Sequence, residues 1–486
     1  MNEIPINPTI RESSFLYSAL TESNRFLSLK EFMIWFKTRE EENQFEVNHI
    51  PFSKLDKWKF EEDTGNLVHD SGKFFKIKGI RVGKNFGRFQ QWDQPVIDQP
   101  EIGILGILTK NFNGVRYFLM QAKMEPGNIG PVQLSPTVQA TKSNYTRAHK
   151  GKAPLYIEYF LDKSKSKVLI DQLQTEHGAR FIQKRNRNII VETDEDIPMH
   201  EDFCWLTLGQ IKQLMKLDNL VNMDARSVIS CIPFVGSEVK RYYDSVSERD
   251  FFNSPLLSRI PEGFQRDLFI SLIDDSRVIN TYDDIINWFT DIKANCEVEF
   301  KQIPLNRVRD WIIGDQEIKH KDKKFFSVIA VEVKASNREV TSWTQPLIRY
   351  SSNGLIGFVV KKINGVLHFL VQARVDPCNY NVIEIAPTVA CTESDFKLDQ
   401  SDKHPFLDMF TNPDDSQVRY SSMQSDEGGR FYQSQNKHIV IEVPQTEKLD
   451  LPFNYLWVTY GQIIEMVKHN YFNIDTRGMI ACLSFI

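Results

Sequence analysis

The sequence lacks the signatures of several large enzyme classes and of membrane proteins. No apolar run approaches the ~18 residues of a membrane helix, and the N-terminus has no basic region followed by an apolar stretch. There is no Walker lysine loop, no GxGxxG and no GxSxG, and the ten histidines include no HExxH pair. These absences argue against ATP-driven, redox, serine-nucleophile and zinc-dependent chemistry, and they predict a soluble cytoplasmic protein.

Cysteine spacing predicts no disulfide or metal site, and net charge predicts no nucleic-acid or membrane partner. The six cysteines are scattered without a CxxC, and Cys231 and Cys482 lie in apolar runs at matching positions of a repeat, as buried thiols in a reducing compartment do. The net charge of −5 gives no electrostatic reason to bind nucleic acid or an anionic membrane. We therefore expect neither as a partner.

A tandem repeat dominates the sequence. Residues 92–141 and 343–392 align without a gap at an offset of 251, and 20 of these 50 positions are identical. Both copies carry an apolar, branched run, then Asn-Gly, then a second such run, which predicts a β-hairpin in each. The pattern predicts helices capped by Ser28, Thr207, Thr281 and Thr459, each with Glu, Gln or Asp three residues later. Short helices are expected over 50–58 and 303–311.

These elements predict an α+β (mixed α/β) fold of two tandem domains, each a mixed or antiparallel sheet flanked by helices. The expected boundaries are 13–236 for the first repeat and 266–486 for the second. Residues 237–265 have no counterpart in the first half and are expected to form a partly helical linker.

Polar residues follow the hairpin in both copies, at strand positions where burial is costly unless they are paired or line a pocket. Differences between the copies are more informative than the shared residues. Lys123 becomes Arg374, and Gln139 becomes Ala390, while Tyr145, Arg147 and His149 have no equivalents of the same type. A set of Lys, Tyr, Arg and His suits an anionic ligand and proton transfer, so we expect the first repeat to be catalytic, whereas the second has lost much of this set.

The segments QPEIGILG, FLMQAKMEPGN, VQLSPTVQAT, SNYTRAH and PLYIEYF together resemble the NDP-hexose 2,3-dehydratases of deoxysugar biosynthesis, over essentially the whole chain. The resemblance implies two fused Nudix-like units, a homodimer, and a nucleotide-linked 4-keto-6-deoxyhexose as substrate. No Nudix box is present in either half. The fold is therefore expected to carry over, whereas metal-dependent diphosphate hydrolysis is not. The resemblance also implies that the second repeat is a vestigial or structural nucleotide-sugar site.

The implied reaction removes water across C2 and C3 of the sugar and needs neither a cofactor nor a metal. The C4 ketone acidifies the proton on C3, a base removes it, and donors stabilise the enolate oxygen. The enol formed when the C2 hydroxyl leaves becomes a 3,4-diketo-2,6-dideoxy sugar, which a downstream 3-ketoreductase is expected to consume.

The residue roles follow from this chemistry. Tyr145 or His149 is the expected proton-transfer group, Tyr145 only if its pKa is lowered. Lys123 or Gln139 is expected to donate to the C4 oxygen. The remaining candidates contact substrate: Arg147 and Arg180 the diphosphate, Trp92 the base unless it belongs to the core, Glu125 and Glu158 as weaker acid or base groups, and Asn128, Gln133, Thr137, Thr141, Asn144 and Tyr156 as pocket residues.

Two other functions stay open at this point. A Nudix-type hydrolase would release a sugar phosphate in a magnesium-dependent reaction. A non-catalytic binding protein would hold the nucleotide sugar without turning it over.

Overall fold

The computed structural model describes residues 14–85, 91–145, 153–336, 340–393 and 404–486. Within them, the chain forms two similar halves, each with one large mixed sheet and one small antiparallel sheet. The helices of the described residues are α1 (Phe15–Ala19), α2 (Leu29–Glu42), α3 (Lys142–Tyr145), α4 (Glu158–Leu161), α5 (Leu208–Leu214), α6 (Met223–Ser230), α7 (Ser237–Ser245), α8 (Glu248–Phe252), α9 (Phe264–Ile273), α10 (Tyr282–Asn295), α11 (Leu407–Thr411), α12 (Tyr460–Val467) and α13 (Ile474–Cys482).

In each half the first five strands belong to the small sheets and the next seven to the large sheet. In the first they are β1 (Phe45–Ile50), β2 (Trp58–Phe60), β3 (Leu67–His69), β4 (Lys76–Lys84), β5 (Gln91–Asp98), β6 (Gly103–Phe112), β7 (Val115–Met124), β8 (Val132–Ser135), β9 (Val138–Ala140), β10 (Lys167–Thr175), β11 (Arg185–Glu192) and β12 (Phe203–Thr207). In the second they are β13 (Val298–Ile303), β14 (Trp311–Ile313), β15 (Glu317–His320), β16 (Phe326–Ala335), β17 (Ser342–Tyr350), β18 (Gly354–Ile363), β19 (Val366–Val375), β20 (Ile383–Pro387), β21 (Val389–Thr392), β22 (Val418–Ser425), β23 (Gln435–Val443) and β24 (Tyr455–Thr459).

The large sheets confirm the mixed α+β prediction. The first has the order β10-β11-β6-β7-β12, with β8 beside β7 and β9 beside β6, and the second repeats this order with β22-β23-β18-β19-β24. Among the strand pairs of these sheets that the structure describes, only β6–β11 and β18–β23 are parallel. The predicted hairpins β6–β7 and β18–β19 turn at Asn113-Gly114 and Asn364-Gly365, where φ is 53° and 82°, then 53° and 80°. Asn and Gly tolerate these positive angles, so the turn is fixed locally.

The small sheets exchange strands between the repeats. Strand β1 of the first repeat pairs with β16 of the second, Phe45 opposite Ala335. Strand β13 of the second repeat pairs with β4 of the first, Val298 opposite Lys84. Each small sheet is therefore complete only when both repeats are present.

The helix caps follow the sequence, but the short helices do not. All four predicted capping boxes are present, at Ser28, Thr207, Thr281 and Thr459. The helices expected over 50–58 and 303–311 are wrong, because these segments form three-residue 3₁₀ turns followed by strands β2 and β14. The extended backbone lets each strand's first tryptophan reach the other repeat, where Trp58 donates its indole N–H to the Thr344 carbonyl and Trp311 donates to that of Asp93.

One hydrophobic core spans both repeats and contains Phe118 of the first and Phe369 of the second. The expected linker is part of that core, since α7 and α8 fold within residues 237–265 and bury Phe251 and Ile260. Helix α6 packs against its counterpart α13 at the junction. The two repeats therefore share an interior, and residues 237–265 do more than tether them.

Candidate active site between the two repeats

A connected group of polar side chains lies where β7, β9 and α6 meet. Lys123 near the end of β7 approaches Glu125, with 3.4 Å between Nζ and Oε1. Gln139 of β9 donates from Nε2 to the same Oε1 at 3.0 Å, and Asn222, the N-cap of α6, donates from Nδ2 to Oε1 of Gln139 at 3.2 Å. Asp224 lies in the first turn of α6. The Glu125 carboxylate is thereby held between a cation and an oriented amide.

A loop of the second repeat forms the opposite wall. The backbone N–H of Gly127 donates to the Gly428 carbonyl at 2.7 Å, and the N–H of Gln433 donates to the Gly127 carbonyl at 2.7 Å. The approach is so close that a Cβ on Gly428 would lie 2.1 Å from Oδ1 of Asn128. This contact brings Glu427 and Arg430 against the first-repeat residues.

We call the combined group the first cluster. It consists of Lys123, Glu125, Gln139, Glu176, Lys184, Asn222, Asp224, Glu427 and Arg430.

Carboxylates crowd together in the first cluster. Burial, opposed by the charges of Arg430 and Lys184 and assisted by those of Glu176 and Glu125, raises the pKa of Glu427 to about 7. Burial likewise raises the pKa of Asp224 well above its usual value, and the neighbouring carboxylates add to the shift. Burial lowers the pKa of Lys184. With its pKa at about 7, Glu427 can exchange protons near neutral pH.

Some buried polar atoms of this region have no hydrogen-bond partner among the described residues. They are Oε2 of Glu125, Oδ1 of Asn128 and Oε2 of Glu176. Buried polar groups in native proteins are nearly always paired. These atoms are therefore candidates for direct contact with a ligand.

The matching position in the second repeat holds a different arrangement, the second cluster, formed by Arg374, Asp376, Asp475, Asp426 and His177. Here the charges pair with one another. Arg374 lies 3.2 Å from Asp475 and 3.5 Å from Asp376, and His177 of the first repeat lies 3.6 Å from Asp426 and 3.9 Å from Asp475. The position of Gln139 is occupied by Ala390, so no amide relay forms.

Three of the residues predicted from the sequence belong to the first cluster, and two more lie beside it. Lys123, Glu125 and Gln139 form its centre. Asn128 donates from Nδ2 to the Lys123 carbonyl at 3.3 Å, and Oε1 of Gln133 accepts a 3.0 Å hydrogen bond from the hydroxyl of Ser425 in the second repeat.

Arg180 and Trp92 do not join this group. The Arg180 guanidinium lies 4.2 Å above the Phe326 ring and 5.0 Å from that of Tyr350, both in the second repeat. Its counterpart Arg430 takes the corresponding place in the first cluster and donates from Nε to Oε1 of Gln99 at 3.1 Å. Trp92 lies in the small sheet and donates its indole N–H to Gln94.

Three other predicted residues lie away from the first cluster, and two of them form hydrogen bonds with the backbone. The Thr137 hydroxyl accepts from the Leu108 N–H and donates to the Leu119 carbonyl. The Tyr156 hydroxyl donates to the Pro198 carbonyl and accepts from the His200 N–H. Glu158 is exposed at the start of α4.

The remaining candidates lie on one segment of the first repeat. Tyr145, at the end of α3, packs partly against the core, and its N–H donates to the Thr141 carbonyl at 3.2 Å. Arg147, His149 and the side chain of Asn144 lie outside the described residues. Their roles stay predictions.

The sequence prediction did not include Asn222, Asp224, Glu176, Glu427 or Arg430. The sequence does contain a pattern that includes these residues. NMDAR at 222–226 recurs as NIDTR at 473–477, and EHGAR at 176–180 recurs as DEGGR at 426–430. The second pair differs where His177 corresponds to Glu427. The repeat does not reveal that the loops at 176–180 and 426–430 each cross to the other repeat.

Neither a metal site nor a membrane helix is evident in the described part of the chain. No group of three or more His, Cys, Asp or Glu side chains there is arranged to hold a metal ion. None of the helices in that part is long and apolar enough to cross a membrane. A cavity of about 560 Å³ beside α10 and a smaller one beside Trp205 contain no residue of the first cluster.

Comparison with known proteins agrees with the duplicated architecture. The family model for NDP-hexose 2,3-dehydratase matches the chain twice, over residues 29–232 and 282–483. The chain belongs to this family. Both matched segments contribute to the first cluster, through Lys123 in one and Glu427 in the other.

Three relatives are each named dTDP-4-dehydro-6-deoxy-alpha-D-glucopyranose 2,3-dehydratase. The chain is 46% identical to the protein of Saccharopolyspora spinosa over 474 residues, which cover 96% of this chain and 94% of the relative. It is 43% identical to that of Amycolatopsis orientalis over 474 residues, covering 96% and 92%. It is 38% identical to that of Streptomyces violaceoruber over 456 residues, covering 93% and 96%.

Proposed function

We propose that this protein is a hydro-lyase that removes water across C2 and C3 of dTDP-4-keto-6-deoxy-D-glucose. The product is the nucleotide-linked 3,4-diketo-2,6-dideoxy sugar. The observation that carries the proposal is the first cluster, which combines a lysine, an oriented amide and carboxylates suited to proton transfer in a member of the 2,3-dehydratase family. The names of the three relatives support this choice of substrate.

The chemistry requires one base and a set of donors for the C4 oxygen. Lys123 carries three N–H donors and Gln139 two, so each can hold Glu125 and still donate to an enolate oxygen. Preorganised donors of this kind typically contribute about 10²–10³ in rate. Arg147 remains the candidate for the diphosphate, and Tyr145 and His149 remain candidates for proton transfer. A Nudix-like fold for each repeat, a homodimer and a cytoplasmic location are further parts of this proposal.

A place in a reaction sequence follows from the product. Adjacent ketones at C3 and C4 are strongly electrophilic. A ketoreductase acting at C3 is therefore the expected next enzyme.

The test uses purified full-length protein, dTDP-4-keto-6-deoxyglucose and a metal chelator. We expect mass spectrometry to detect the loss of one water with the nucleotide still attached. Added o-phenylenediamine should trap the product as a quinoxaline, because it condenses with adjacent ketones. Unchanged substrate with folded protein would contradict the proposal. Magnesium-dependent release of a sugar phosphate would indicate a hydrolase, and tight binding without turnover a binding protein.

A further inference from the structure

We propose that Glu427 of the second repeat removes the C3 proton of a sugar bound at the first cluster, so that both repeats build one active site. This inference rests on the proposed dehydration. It assigns the base to a residue that lies far from Lys123 in sequence and on the other copy of the repeat.

The position of Glu427 is fixed by the contact between the repeats. The paired hydrogen bonds of Gly127 with Gly428 and Gln433 hold the loop in place. A Cβ built on Gly429 would lie 3.1 Å from Oε1 of Glu427 and 3.5 Å from Oε1 of Glu125, so the two carboxylates border the same backbone position.

Glu427 is more exposed to solvent than the other carboxylates of the first cluster. Glu125, Glu176 and Asp224 are 7%, 2% and 3% exposed, and the first two accept hydrogen bonds from Gln139 and Asn186. Glu427 is partly exposed, and its carboxylate has no hydrogen bond or ion pair with another described residue. It is therefore the carboxylate of the first cluster best able to reach a substrate.

The proposed step balances without a co-reactant. The Glu427 carboxylate takes the proton from C3, and the electrons of the C–H bond form the enolate of the C4 ketone. The enolate electrons then form the C2–C3 double bond as the C2–O bond breaks. The departing hydroxide takes the proton held by Glu427 and leaves as water, so the carboxylate is regenerated. The C3 enol tautomerises to the ketone.

The expected pH dependence agrees with this role. A base must be ionised, and with a pKa of about 7 Glu427 loses that form as the pH falls below neutrality. The titratable and charged groups that interact with it are Glu125, Glu176, Lys184, Asp224 and Arg430. Burial outweighs the opposing charge of Arg430, so the raised pKa makes the carboxylate a stronger base than an exposed glutamate.

The test compares E427Q with H177Q, the same substitution at the equivalent loop position. We expect E427Q to lose at least about 10²-fold in kcat, the usual contribution of a general base, and to bind dTDP as the wild type does. It should also abolish wash-in of solvent deuterium at C3 of recovered substrate. We expect H177Q to keep wild-type activity, and E427D to retain part of the activity with a shifted acidic limb.

Two outcomes would overturn the inference. One is an active wild type together with an E427Q variant within about threefold of it in kcat. The other is parallel loss of dTDP binding and activity, which would make Glu427 a ligand-binding residue. If E427Q did not fold, a wild-type kcat independent of pH across neutrality would overturn the inference. An inactive wild type would instead refute the proposed function itself.

Discussion

The two polar clusters differ at one matched position, which holds Gln139 in the first repeat and Ala390 in the second. The Gln139 side chain links Asn222 to Glu125 in the first cluster, whereas Ala390 leaves this link absent in the second. An amide in this place fixes the carboxylate and still offers an N–H to a substrate oxygen. The difference therefore separates a site built to donate hydrogen bonds from one whose charges pair with one another.

We expect Gln139→Ala to lower kcat by about 10²-fold, because it removes one preorganised donor and releases Glu125. Steady-state kinetics on dTDP-4-keto-6-deoxyglucose measure the effect. Ala390→Gln is the matched control and should leave kcat unchanged. Equal effects of the two substitutions would show that the second cluster also takes part in the reaction.

The site was only partly predictable from single residues. The sequence points to Lys123 and Gln139 because the second repeat carries Arg374 and Ala390 in their place. It does not point to Glu427, because the proximity of loops in different repeats depends on the tertiary fold, which no local pattern encodes. The prediction that Arg180 binds at the first site is wrong because the loop that carries it crosses to the second repeat.

At the scale of elements, the repeats are joined by reciprocal exchange. Strands β1 and β13 each complete the other repeat's small sheet, and the loops at 176–184 and 426–434 each complete the other repeat's polar cluster. The loop exchange requires glycine at its point of contact. A Cβ on Gly127 would lie 1.6 Å from the Phe431 carbonyl oxygen.

Gly127→Ala is expected to lower the free energy of unfolding by about 2 kcal/mol or more, since the backbone must shift to relieve the overlap. Because the shift displaces Glu427, kcat should fall as well. Urea denaturation and kinetics measure both effects. Gly314→Ala is the control, because the nearest atom to its added Cβ lies at 3.4 Å and stability should change little. A stable, fully active Gly127→Ala variant would contradict the importance of this contact.

Local elements were predictable and their pairing was not. The Asn-Gly hairpins and four capping boxes depend on residues within a few positions of one another, so the sequence identifies them directly. Strand exchange depends on partners in the other repeat. The segments at Trp58 and Trp311 are strands and not the predicted helices. Each tryptophan donates a hydrogen bond to a carbonyl of the other repeat, and no local pattern shows such a partner.

At the scale of the whole molecule, the shared core contains a buried charge. Lys212 of α5 is fully buried, and its Nζ donates to the Ala481 carbonyl in α13 of the second repeat. Burial lowers the pKa of Lys212 to about 7. The equivalent residue in the second repeat is Ile464, which is also buried. The interior therefore accepts an apolar side chain at this position.

Lys212→Met should raise the free energy of unfolding at pH 7 by about 1–3 kcal/mol, because it removes a desolvated amine from the core. In the wild type, the unfolded chain binds an extra proton between pH 7 and about 10, where free lysine titrates. The wild-type free energy of unfolding therefore rises with pH across this window. The variant should lose that rise in denaturation curves recorded at several pH values. If the free energy of unfolding changed with pH equally in both proteins, Lys212 would not be the group responsible for the rise.

The most direct test of the whole account is a crystal structure with a non-reacting analogue of the nucleotide-linked 4-keto sugar. We predict that the hexose binds at the first cluster, with C3 facing Glu427 and the C4 oxygen near Lys123 and Gln139. A hexose bound only at the second cluster, among Arg374, Asp376 and His177, would contradict the account.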